Sequence, residues 1–166
     1  MNPSESPEVN ELELSPLELE VVEFFVHLAG MLSLPKSVGE IYGLLYGSEE
    51  PQTFDVIQTR LNISKGSVSQ GLRFLRNINA VKVVYVAGDR RDYYTAEHSL
   101  RRLADGFLRE RIIPHLDNGK ARIAHMESLL NNDPNATPHQ KSAINSLKTW
   151  SKKASLFLPL LKRIIR

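Results

Sequence analysis

The chain contains no cysteine. Disulfides and thiolate zinc sites are thereby excluded, and a cytoplasmic location is expected. Although 42% of its residues are hydrophobic, no apolar run is long enough to span a bilayer, so no membrane role is expected. The stretch from Met1 to Leu14 is acidic and lacks an apolar core, so no signal peptide is expected either. The five histidines (His27, His98, His115, His125 and His139) show no HxxxH or HExxH spacing that would place two on one helical face. No Gly-rich phosphate loop follows a strand, and no nucleophile elbow occurs. Catalysis, a metal and a bound cofactor are therefore not expected.

Basic residues are absent from one end and concentrated elsewhere. Residues 1–30 hold seven acids and no Lys or Arg. Residues 60–102 hold nine Lys and Arg against three acids, an excess of six. A basic excess of this size within one segment is the electrostatic footprint of a nucleic-acid surface. Residues 103–166 carry a similar excess, eleven against five, which fits solvated helix faces.

The basic segment has internal order. Thr53 is placed to cap a helix, with Asp55 in the first turn, where the helix dipole favours negative charge. Val56, Ile57 and Leu61 give that helix an apolar face. Asn62 tolerates the left-handed conformation a sharp turn needs, and Ser64 can cap a second helix. There Val68, Leu72 and Leu75 fall at i, i+4 and i+7 and form one buried stripe. Lys65, Gly66, Ser69, Gln70, Arg73 and Arg76 cluster on the opposite arc. Gln can bond adenine, Arg guanine, and Ser (Ser67 or Ser69) any base edge. Lys65 and the first-turn amides can meet phosphate. Gly66 faces the outer arc, where the missing side chain permits close approach, whereas Gly71 points inward and is expected to pack against the preceding helix. A merely solvated helix face would show the same arc.

The neighbouring hairpin tips the balance. Val81 to Val86 is β-branched and aromatic, Asp92 to Thr95 continues as DYYT, and AGDRR between them is a turn. Arg90 and Arg91 therefore project from a hairpin tip, and either could enter a narrow minor groove. Asp89 is expected to orient one of them through a charge-assisted bond. The expected fold class is mainly α with a small β-hairpin wing: a winged helix-turn-helix with N- and C-terminal helices forming a dimerisation region.

The stretch SVGEIYGLLYGSEEPQTFDVIQTRLNISKGSVSQGLRFL, followed by GDRRDYYTAE, resembles the GbsR-like branch of the MarR-type winged-helix regulators. The similarity runs from about Leu12 to Leu108 and is strongest in IYGLLY, ISKGSVS and GDRRDYY. The resemblance implies a homodimeric transcription regulator, usually a repressor, with a small-molecule or osmotic input. By the same resemblance, Lys65 to Arg73 would be the recognition helix and Asp89 to Arg91 the wing tip. One departure is Asn77-Ile78-Asn79-Ala80, where the family more often has an acidic or aromatic residue and a glycine before the wing strand.

The flanks are helical by pattern. Ser15-Pro16-Leu17-Glu18 is a capping box with proline at the first helical position, opening a helix to about Leu32. Ser37 to Glu40 reads as a second box, Gly47 to Gln52 as a loop, and Thr137 to Gln140 as a third box. A long helix from Glu97 or Ser99 should kink at Pro114. In the final helix Ile144, Leu147, Trp150, Ala154, Phe157, Leu161 and Ile164 recur on one side. The division expected is a disordered acidic start (1–10), an N-terminal dimerisation helix (11–34), the winged module (35–97) and a C-terminal dimerisation region (98–166). So many apolar faces on a small domain call for burial across a two-fold interface. LFLPLLKRIIR could also suggest a membrane-surface helix, but its apolar stripe joins smoothly to the preceding helix, which argues against one. Two functions remain open: a repressor on a pseudo-palindromic operator in double-stranded DNA, modulated by a small-molecule effector, or a winged-helix scaffold for protein partners. A quaternary amine effector would want an aromatic cage, for which Phe24, Phe25, Tyr42, Tyr46 and Trp150 are available, but no effector residue follows from the sequence.

Overall fold

A computed structural model of the chain describes residues 13–165, with side chains to Phe157 and that of Pro159. The disordered start expected over 1–10, and the side chains of Leu161 and Ile164, lie outside the described residues. Two compact units divide between Leu103 and Ala104.

The first unit opens with α1 (Pro16–Met31). Its capping box forms as the sequence predicts: Glu18 N donates to Ser15 Oγ at 3.2 Å and Ser15 N to Glu18 Oε2 at 2.9 Å. The following α2 (Lys36–Gly47) is not opened by Ser37; its N-cap is Pro35, without a side-chain cap. The fixed φ of proline already sets the chain for a first turn, and Val38 N closes it on Pro35 O at 3.0 Å. The two helices touch backbone to backbone. A β-carbon on Gly39 would lie 2.5 Å from Phe25 O, and one on Gly43 2.6 Å from Val22 Cα. Two glycines one turn apart therefore let α1 and α2 approach as close as they do.

A short strand β1 (Gln52–Thr53) replaces the end of the expected loop. Thr53 then caps α3 (Phe54–Leu61), and Asn62 takes the left-handed conformation, φ 50° and ψ 45°, as expected of a turn asparagine. Ser64 caps α4 (Lys65–Asn77). The hairpin β2 (Val81–Val84) and β3 (Tyr93–Ala96) closes the module, with Val81 opposite Ala96 and Val84 opposite Tyr93. β1 adds on the other side of β3, giving an antiparallel sheet of order β1-β3-β2. Ile41, Leu44, Leu45, Ile57, Val68 and Leu75 are fully buried between these elements, each contributing about 1.5–3 kcal/mol by leaving water.

The chain leaves the module through α5 (Leu100–Phe107). In the second unit a π-helical turn spans Leu108–Ile112, ahead of α6 (Ile113–Asn132) with Pro114 in its first turn. Pro114 has no N–H to give to the carbonyl four residues back, and the π turn is how the ladder absorbs the break. Helix α7 (Pro138–Ile165) returns after a short loop. Its capping box forms, with Gln140 N donating to Thr137 Oγ1 at 3.2 Å and Thr137 N to Gln140 Oε1 at 2.8 Å. Lys148 of α7 pairs with Glu127 of α6.

Candidate nucleic-acid interface

Helix α4 has two chemically opposite sides. Val68, Leu72 and Leu75 are buried, while Lys65, Gly66, Ser69, Gln70, Arg73 and Arg76 are all exposed. Four of the exposed side chains, Lys65, Ser69, Gln70 and Arg73, make no hydrogen bond or ion pair among the described residues. Ser67 differs. It is half-buried, its amide donates to Ser64 Oγ at 3.1 Å, and its hydroxyl lies 2.9 Å from the same atom. Ser67 thus belongs to the helix cap. The two helix glycines also differ. A β-carbon on Gly71 would meet Ile41 Cδ1 at 2.5 Å, so the close neighbour is α2 and not the preceding helix α3. At Gly66 a β-carbon would meet only Ser64 Oγ, at 3.7 Å; nothing among the described residues requires a glycine there.

The path from α4 into the wing accommodates the departure from the family pattern at Asn77 to Ala80. Asn79 sits at φ 58°, the left-handed region that asparagine tolerates best after glycine. Ala80 N bonds Leu75 O at 2.8 Å and Glu97 N bonds Ala80 O at 2.8 Å. The turn is therefore made without the family's glycine.

At the wing tip Gly88 supplies φ 86°, and Asp89 gathers the groups around it. Its carboxylate accepts Arg91 N at 2.9 Å, Arg91 Nε at 2.9 Å, Arg91 Nη2 at 2.5 Å and Tyr93 Oη at 2.8 Å. The Arg91 guanidinium also lies 5.7 Å from the Tyr93 ring centre. These bonds, the Arg91 side chain first, hold the Asp89 carboxyl far below the usual carboxylate range; the same contact raises Arg91. Asp89 orients one arginine, and that arginine is Arg91. Arg90 is exposed and has no partner among the described residues. The wing tip thus offers one fixed cation and one free one.

Of the aromatic residues available for a cage, Phe24, Phe25, Tyr42 and Tyr46 are packed on each other, whereas Trp150 is exposed on α7. Phe25 stands edge-on to Tyr42 with ring centres 4.7 Å apart, Phe25 and Tyr46 are 5.1 Å apart, and Tyr46 and His98 are 4.9 Å apart. Phe25 and Tyr42 are buried, whereas Phe24 is exposed. Burial pushes the Tyr42 hydroxyl well above its ordinary range. This is core packing with preferred ring geometry. Among the described residues no group of His, Cys, Asp or Glu is placed to hold a metal, and no helix is long and apolar enough to cross a membrane.

No family model matches the sequence. Over 88 residues, 53% of this chain and 48% of the relative, it is 29% identical to the HTH-type transcriptional repressor GbsR of Bacillus subtilis (strain 168). It is 29% identical over 79 residues to the HTH-type transcriptional repressor OpcR of the same organism, spanning 48% of this chain and 41% of that one. It is 31% identical over 72 residues, 43% of this chain and 39% of the relative, to the putative HTH-type transcriptional regulator YvaV, also of that organism. The chain thus spans about half the length of the curated relatives it matches. A crystal structure described as a transcriptional regulator superposes with a TM-score of 0.61 at 20% identity, covering 90% of this chain and 98% of that one. The resemblance to GbsR-like regulators and the winged helix-turn-helix fold both hold.

Proposed function

We propose that this chain is a homodimeric, sequence-specific DNA-binding repressor, non-catalytic and cytoplasmic, with α4 as its recognition helix and Asp89 to Arg91 as its wing tip. The observation that carries this reading is the unpartnered polar and basic arc of α4 within one module with a wing whose Arg91 is held in place by Asp89. Gln70 and Arg73 read base edges in the major groove, with Ser69 and Arg76 beside them. Lys65, Gly66 and the first-turn amides take a phosphate at the positive end of the helix, with Ser67 fixing that end through the cap. Arg91, already oriented, pays little entropy to enter the minor groove, and Arg90 neutralises phosphate. That the matched relatives are HTH-type repressors supports the same reading.

Dimerisation is proposed through the terminal helical regions. Leu17, Phe24 and Met31 are 74%, 61% and 83% exposed on α1, and Trp150 and Phe157 are 70% and 67% exposed on α7. Covering each such side chain in a partner contributes about 1.5–3 kcal/mol. Two recognition helices would then lie roughly 34 Å apart on a pseudo-palindromic site, and a small-molecule effector would shift the population between DNA-competent and incompetent arrangements.

The test is fluorescence anisotropy of the purified protein on its own upstream DNA beside a scrambled duplex at two salt concentrations. Preference for the upstream site by ~10³-fold or more is the expected result. Absence of binding to either duplex at low salt would overturn the reading and leave a protein-binding scaffold.

A further inference from the structure

We propose that Glu97 is a positioning residue that fixes the root of the wing to the helix by which the chain leaves the DNA-binding module. The residue is only 5% exposed and takes no part in the outward arc of α4. Its Oε1 accepts the Ser99 amide at 3.0 Å, at the start of α5. Its Oε2 accepts two cations at once: Lys82 Nζ of strand β2 at 2.9 Å and Arg102 Nε of α5 at 3.1 Å. The main chain is pinned as well. Glu97 N donates to Ala80 O at 2.8 Å, where the wing begins, and the Glu97 carbonyl accepts the buried Tyr42 hydroxyl of α2 at 2.6 Å. One residue thus joins α2, both ends of the wing and α5.

The sharing of Oε2 is what makes this a coupling element. A carboxylate oxygen bonded by a wing lysine and an α5 arginine cannot follow one without loosening the other, so a displacement of α5 is felt in β2. The carboxylate is buried while Lys82 and Arg102 reach it from the surface, and a buried carboxylate left unpaired there is strongly disfavoured. For DNA binding the inference rests on the repressor reading; for holding the wing it does not.

The sign of the effect separates positioning from plain electrostatics. Removing an acid from a basic DNA-binding segment should, through the field alone, strengthen DNA binding. Removing a positioning residue should weaken it. The experiment uses the full chain as wild type, Glu97→Gln, Arg102→Met and the double variant. Two readouts are taken: hydrogen exchange of backbone amides in the free protein, and DNA affinity against salt. In Glu97→Gln the amides of β2 and β3 should exchange about tenfold faster while those of α4 are unchanged, the scale of one charge-assisted bond. The Kd should rise about tenfold with its salt slope unaltered, because no phosphate-facing cation is lost. Arg102→Met, exposed and therefore tolerated by the fold, should move both readouts the same way, and add nothing in the Glu97→Gln background. Tighter DNA binding with unchanged wing exchange would overturn the proposal, as would faster exchange spread evenly over α2 and α4. Should wild type bind no DNA, the repressor reading falls, and the exchange of β2 and β3 alone decides the role of Glu97.

Discussion

Arg60 Nη2 donates to both carboxylate oxygens of Glu18 at 2.9 Å, tying the first helix of the helix-turn-helix to α1. The arginine side chain is 9% exposed, and its Nε is buried without a partner among the described residues; apart from a 3.4 Å bond from Nη2 to Glu13 O, the guanidinium is held by this acid. Glu18 also completes the α1 capping box. Burial raises its carboxyl, but the Ser15 backbone bond and Arg60 outweigh that and hold it below the ordinary glutamate range. Glu18→Ala should therefore cost about 3 kcal/mol, the low end for breaking a buried pair, since Glu18 retains 22% exposure. Because the folded-state pKa is depressed, the titrating part of this stability is present above the unfolded value of about 4.3 and is lost as pH falls through the folded one. Urea melts of wild type and variant should differ most at neutral pH and by less at strongly acid pH. A gap that does not narrow in acid would show that the carboxylate charge contributes nothing to it.

Gly66 and Gly39 should respond in opposite ways to alanine. At Gly66 a β-carbon meets nothing closer than 3.7 Å, so Gly66→Ala should stabilise the fold by up to about 1 kcal/mol through helix propensity. The same methyl would stand between α4 and a phosphate, and DNA affinity should fall. At Gly39 the obstruction is backbone, Phe25 O at 2.5 Å, which cannot rotate away. Gly39→Ala should destabilise by more than about 2 kcal/mol as α1 and α2 are forced apart. Thermal melts of both variants, with anisotropy on Gly66→Ala, check the pair. A Gly66→Ala protein that is both more stable and fully competent on DNA would remove the close-approach argument.

Caps at Ser15, Thr53, Ser64 and Thr137 were legible in the sequence because a cap is made by residues three apart. The outward arc of α4 was legible because periodicity alone divides a helix into faces. Ser37 failed because the proline and lysine before it had already begun the turn. β1 was invisible, since two residues become a strand only by pairing with β3, with Gln52 opposite Tyr94. The same holds for Arg60 with Glu18 and Tyr42 with Glu97, 42 and 55 residues apart. No local pattern announces such a pair. The partner of Asp89 is hidden for a different reason: both arginines are within reach by sequence, and only the turn at Gly88 decides between them.

The two wing arginines should separate in a salt titration. Arg90→Ala removes a free cation, and should lower the slope of log K against log salt by about one with a uniform loss across sequences. Asp89→Ala removes an acid but frees Arg91, which is otherwise held through Nε and Nη2. Its affinity for the preferred site should fall while binding to scrambled DNA holds or rises, because orientation is lost and charge is gained. Arg91→Lys should not restore the site preference, since an ammonium cannot reproduce the two-point contact. If Asp89→Ala tightened binding to both duplexes alike, the wing would be acting as a charge and not as a positioned reader.

The exposed side of α1 supplies the test of assembly. Val22, Phe25 and Ala29 bury one face of the helix, yet Leu17, Phe24 and Met31 recur at seven-residue intervals on another and remain largely exposed. A seven-residue apolar recurrence is the spacing by which one helix lies along another. Met31→Glu places a charge in that line without disturbing the packed face, because Met31 is 83% exposed. Sedimentation equilibrium should show wild type as a dimer and Met31→Glu shifted toward monomer, with circular dichroism unchanged. On DNA the variant should lose affinity for a two-half-site operator by about tenfold or more, while its affinity for a single half-site stays at the wild-type level. A variant that remains dimeric and binds the full operator normally would exclude α1 from the interface and leave the α6–α7 hairpin as its source.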